Sequence, residues 1–182
     1  MLLSDPLVQE ILDVLESRLQ HLLDQLADLP GSVVLSPDNL DGQYISPKIF
    51  TRHLAPSYRR TVSLLRPHGK KLVVHVGGPT RHLVKPLTDA GIHGLEGISG
   101  PPQSNASLAE ARQLAGPELT LWGGVAQDYL QDAHDWGTFE DAVRLAAEEA
   151  REDGRMILGI ADRVPVNAEL DRLEALPDLI LR

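Results

Sequence analysis

The stretch "KLVVHVGGPTRHLVKPLTDAGIHGLEGI", Lys71 to Ile98, decides the fold. "KLVVHV" is a short apolar run rich in β-branched residues, and it reads as a strand buried on both faces. The two glycines Gly77 and Gly78 end it. "GPTRHLVKPLTDAG" then carries apolar residues at helical spacing up to a glycine stop at Gly91, and "IHGLEGI" begins a second strand. A strand, a helix and a strand with only short turns between them form a parallel βα unit.

The same alternation runs outward in both directions. Downstream, "NASLAEARQLAG" is a capped helix, "LTLWGGV" a strand, "TFEDAVRLAAEEAREDG" a helix stopped at Gly154, "RMILGIA" a strand and "VNAELDRLEAL" a last helix. Upstream, "SPKIFTRHLAPSYRRTVSLLRPHG" is helical with a break near Pro56, and "SVVLS" is a short buried strand before the turn-like run "PDNLDGQY". Before it, residues 1–28 form an amphipathic helix, with Ser4 or Asp5 as N-cap and Pro6 in its first turn. The fold class is therefore α/β with about five parallel strands. The pattern predicts a single domain, 1–182, with the N-terminal helix at 1–28 and successive βα units over 32–182. An eight-stranded barrel usually takes at least about 200 residues, so periodicity leaves a partial barrel and an open doubly wound sheet both standing.

Composition narrows the function. The 182 residues have a net charge of −9, 42% hydrophobic and 24% charged residues, which suits a soluble globular chain. No basic stripe offers itself to phosphates, so neither nucleic acid nor an anionic membrane is an expected partner. The first helix is interrupted by Asp5, Glu10, Asp13, Glu16 and Arg18, so it reads as neither signal peptide nor membrane span, and a cytoplasmic location is expected. There is no cysteine. That excludes disulfides, thiolate nucleophiles and zinc-thiolate sites together.

Sites in parallel α/β folds gather at the carboxyl ends of the strands. The first strand runs into Asp38, Asn39, Asp41 and Tyr44; the second ends at His75, Gly77 and Gly78; the third carries Glu96. The fourth ends at Trp122 before Gly123 and Gly124, and the fifth is followed by Asp162 and Arg163. Each has a plain structural alternative: Asx side chains cap turns, Trp122 packs, and Glu96 or Asp162 pairs with a nearby cation. Their convergence at one end argues for a site. His75, Asp38, Asp41, Glu96 and Asp162 are the candidate acid/base set, and Tyr44, Trp122, Arg163, Gly77 and Gly78 the candidate substrate contacts. His75 with Glu96 is also a candidate pair of ligands for a divalent metal. No dinucleotide fingerprint, phosphate loop or G-x-S-x-G elbow is present.

The segments "DNLDGQYISPKIFTRHLAPSYRRTV", "GKKLVVHVGG", "GLEGISGPPQSNASLAEARQLAG", "LTLWGGV" and "GRMILGIADRVPVNAEL" together resemble the uroporphyrinogen decarboxylase family. Its superfamily includes methyltransferases that act with corrinoid proteins and thiols. The resemblance implies a TIM-type (β/α) barrel of which this chain is the C-terminal part, with the N-terminal βα units absent. It implies a decarboxylase (lyase) or methyltransferase-like activity on a small-molecule substrate, with a corrinoid protein as a partner of the methyltransferase branch. Nothing here matches the arginine-rich segment with which the decarboxylases hold substrate carboxylates. The family's pyrrole-organising aspartate belongs to the absent portion and is not carried over to Asp38 or Asp41. The methyltransferase branch has a His-x-Cys-Gly segment; here it is "HVGG", with Gly77 in the cysteine's place, so thiolate-bound zinc is not expected.

Anionic strand ends set against Arg163 and Arg81 oppose a substrate with many carboxylates. A homodimer or a complementing chain is expected to cover the open barrel. The alternatives to an enzyme are a non-catalytic remnant that binds a ligand or partner, and one piece of a split barrel.

Overall fold

The computed structural model describes residues 5–181. Helix α1 spans Pro6–Asp28, with the Asp5 carboxylate accepting the Leu7 N–H at 2.9 Å and Pro6 in the first turn. Asp5 is thus the cap; Ser4 lies outside the described residues. No helix among the described residues is long and apolar enough to cross a membrane.

Five strands follow: β1 Val33–Asp41, β2 Lys71–Gly77, β3 Gly94–Ser99, β4 Thr120–Val125 and β5 Met156–Ile160. They form one sheet in the order β1-β2-β3-β4-β5, and every pair is parallel. This order excludes the doubly wound alternative. A doubly wound sheet reverses direction at a switch point and gains helices on both faces. With strands laid down consecutively and right-handed crossovers, the helices fall on the same side, as in a barrel wall.

The connecting helices are α2 Pro47–Ile49, continued by a π-turn over Phe50–Leu54 into α3 Ala55–Leu65, then α4 Arg81–Asp89, α5 Leu108–Ala115, α6 Trp136–Asp153 and α7 Leu170–Leu181. Alternate strand residues face them. Leu72, Val74, Val76, Leu95 and Leu121 are buried against Phe50, Leu65, Leu83 and Leu87 in the larger core, and Phe139, Val143 and Leu179 centre a second cluster. The intervening residues Val73, His75, Glu96, Trp122 and Ile157 face the opposite side.

Strand β1 departs from the expected short buried strand. It continues through the supposed turn to Asp41, and most of its residues are exposed. The reason is its place at the sheet edge, where Pro37 breaks no ladder bond on the free side. Its pairing with β2 jumps from Ser36↔Val74 to Leu40↔Val76, so residues 37–39 bulge beside His75.

Two cations join the pieces, Lys70 buried and Arg112 half-buried. Lys70 donates to the carbonyls of Leu29 (2.5 Å) and Gly31 (2.6 Å), tying the end of α1 to the start of β2. Arg112 of α5 makes two bonds to Asp153 of α6, at 2.6 and 2.8 Å, and donates to the Gly116 and Leu119 carbonyls. Burial would raise Asp153, but the Arg112 bonds, the Arg155 N–H and the Arg112 charge outweigh it and hold the carboxyl below its ordinary value.

Candidate functional site

The carboxyl ends of β2, β3 and β5 bring three of the candidates together. His75 stands on β2 directly beside Glu96 on β3, and its Nδ1 lies 2.6 Å from Glu96 Oε2. Its Nε2 lies 3.3 Å from Asp162 Oδ1, just beyond β5. All three side chains are largely buried, His75 and Glu96 retaining 16% exposure each. A carboxylate only accepts hydrogen bonds, so the doubly protonated ring donates to both, whereas the neutral ring with its proton on Nδ1 leaves Nε2 as a base aimed toward Asp162.

The backbone is shaped around this imidazole. Gly97 has φ of +89°, and a Cβ there would lie 2.4 Å from the Val76 carbonyl and 2.9 Å from His75 Cε1. It forms a bulge that shifts the β3–β4 pairing between Glu96 and Ile98. The bulge sends Ile98 to the helix side while Glu96 stays with His75. Asp162 itself has φ of +67°, a left-handed conformation that Asp tolerates better than most residues.

Asp162 is held from behind by a residue that sequence reasoning did not select. Gln127 donates from Nε2 to Asp162 Oδ2 at 3.2 Å, and its own backbone N–H donates to Gln103 Oε1 at 3.3 Å. Ser99 donates to the same Gln103 oxygen at 3.3 Å. The second side-chain atom of Gln127, Oε1, is buried and unpaired. Only its place three residues beyond the Gly123-Gly124 strand end hinted at this role.

The other candidates take different partners. Asp38 accepts from Tyr58 Oη at 2.8 Å and from Ser36, on the side of α3. Burial foremost, with the Asp38 charge and hydrogen bond added, pushes the Tyr58 phenol far above its ordinary value. Asp41 accepts from the Gln43 N–H at 2.7 Å and caps its own turn, and Tyr44 is exposed. No hydrogen bond or ion pair among the described residues links Asp38, Asp41 or Tyr44 to His75. Arg163 is exposed next to Asp162.

Trp122 is half-buried on the same face, paired in register with Glu96 and Ile157. Below it, toward the strand N-termini, is a cavity of about 460 Å³ walled by Val33, Val73, Ile92, Leu119, Trp122 and Ile157 and rimmed by Lys71, His93, Glu118 and Arg155. The cavity therefore lies at the opposite end of the sheet from His75.

A thiolate-bound zinc does not fit these residues. The space beside Gly77 that a cysteine side chain would enter is held by Asn39 Oδ1, 2.6 Å from an ideal Cβ, and the chain has no cysteine. Gly78 is covered likewise by Asp41 Oδ2 at 2.9 Å. For a His75–Glu96 pair to take a divalent ion in this arrangement, the ion would have to displace a carboxylate, since both ring nitrogens are engaged. Among the described residues no group of three or more His, Cys, Asp or Glu side chains is placed to hold a metal.

No protein-family model matches the sequence, and no curated protein matches it either. A solved structure shares the fold. It is a methyltransferase from Methanosarcina mazei, with a TM-score of 0.69 and 18% identity. The match covers 95% of this chain and 48% of that one, so this chain spans about half the length of the structure it resembles. At that identity the likeness establishes the architecture: a (β/α) barrel wall of five parallel strands.

Proposed function

We propose that the protein is a methyltransferase-like barrel protein in which His75 acts as the acid/base group. The reading rests on one observation: an imidazole clamped between Glu96 and Asp162 at the carboxyl ends of three parallel strands. Methyl transfer to an S–H, N–H or O–H acceptor releases one proton. In the neutral ring, Glu96 fixes the Nδ1 proton and the ring plane, and Nε2 accepts the acceptor's proton. Asp162, steadied by Gln127, stabilises the imidazolium that results. A lyase would use the same imidazolium as the acid that protonates a carbanion, but the carboxylates around it oppose a polyanionic substrate.

Activity screening of methyl donors with thiol, amine and hydroxyl acceptors tests the reading. His75→Gln should lower turnover by about 10²- to 10⁴-fold while the melting temperature stays close to that of the parent. Equal turnover in parent and variant rules out the acid/base role. A binding-only protein is the second reading, favoured by the engagement of both His75 nitrogens and by Asn39 filling the place of a thiolate. It predicts ligand affinity without turnover in the parent.

A further inference from the structure

The sheet has a naked side. Its helices lie on one face, and on the other Val33 is 54%, Leu35 45% and Ile157 48% exposed. Strands β1 and β5 are both edges, each with one row of unpaired backbone groups. Helix α1, which packs on α3 through Glu16 with Ser57 and Arg60, leaves Leu7, Ile11 and Leu15 in solvent.

Surface area gives the scale of what is uncovered. The chain exposes 10370 Å². A folded monomer of 19.9 kDa exposes about 8,700 Å² by the relation of area to mass. The surplus of roughly 1,700 Å² is more than the ~800 Å² each partner contributes to a standard interface and falls in the range of obligate dimers.

We infer that the open face is an interface with a second copy of this chain, related by a two-fold axis that runs along the barrel axis. Such an axis sets β5 of each protomer parallel to β1 of its partner, so both edges of both sheets pair at once. The two sheets of five then close into one ring with all helices outside, and Val33, Leu35 and Ile157 enter its interior. Outside the ring, the C-terminal helix after β5 meets the partner's α1 and covers Leu7, Ile11 and Leu15.

Other occupants of the face fit less well. A ligand in the 460 Å³ cavity would leave both strand edges bare. The inference has a local corollary. The exposed Tyr44 beyond β1 comes beside Asp162 and Arg163 of the partner subunit, so the groups that one protomer keeps apart meet across the seam. The interface stands or falls independently of the methyl-transfer reading, because its test measures mass and proximity alone.

Sedimentation of the 182-residue protein at micromolar concentration should give twice 19.9 kDa. Leu35→Lys and Ile157→Lys should each weaken the dimer more than about tenfold, while Leu145→Lys on the outer side of α6 leaves it unchanged. Because the chain has no cysteine, Leu35→Cys and Ile157→Cys can be made separately and mixed. A short bis-maleimide should then link the mixed pair far better than either variant alone, which decides the matter even if a lysine variant fails to fold. A well-folded monomer overturns the inference. So does a dimer indifferent to both lysines, or cross-linking that is equal in the single and mixed samples.

Discussion

His93 lies on the rim of the cavity and accepts the Leu72 N–H at its Nδ1, 3.1 Å away. Burial chiefly, then the charges of Lys71 and Arg66, pulls its pKa below the usual 6.5. The unfolded chain therefore takes up the proton first as pH falls. Stability from this group is complete above about pH 6.5 and declines as pH drops through that value toward the lower folded one. Denaturant melts from pH 8 to pH 5 should show the decline, and His93→Gln should flatten it. Arg172 makes a second residue-scale case: 4% exposed, it donates to Glu169 (2.5 Å), Tyr129 O (2.6 Å) and His134 O (2.5 Å) and lies over the Phe139 ring. Arg172→Met leaves two carbonyls without their donor and should cost about 2–4 kcal/mol in chemical unfolding. At this scale the sequence was legible where chemistry was local. His75 and Glu96 stood out as polar residues within apolar strands and Asp162 as one just beyond a strand, whereas Gln127 acts only through a contact 35 residues away that no local pattern encodes.

Elements were read with more success than their edges. The alternation of apolar strands and amphipathic helices gave all five strands, since buried parallel strands and one-sided helices have different periods. Strand β1 was misjudged because an edge strand with one open face loses the continuous apolar run that marks its neighbours. The bulge at Gly97 had a visible sign, a glycine inside "GLEGI", but its consequence for His75 needed the register. Gly97→Ala tests that consequence. A Cβ at +89° meets backbone oxygen and the His75 ring together, so the variant should lose at least about 2 kcal/mol and should displace the imidazole. A melting curve and the His75 ring signals in an NMR spectrum report the two effects separately.

At the scale of the whole molecule, periodicity admitted either a barrel wall or a doubly wound sheet, and strand order decided. Handedness is invisible in hydropathy, because both topologies bury the same strands. Order also governs how the molecule forms. Each strand pairs only with the strand that precedes or follows it in the chain. Loop-closure costs are therefore met one βα unit at a time. The chain is built like a short one-dimensional array, whose units can add from a ribosome one after another without waiting for a distant segment. Ending the chain at residue 154, before β5, should accordingly leave the circular dichroism and protected amides of β1 to β3 in place. A loss of all protection on that truncation would show that the array folds only as one cooperative block.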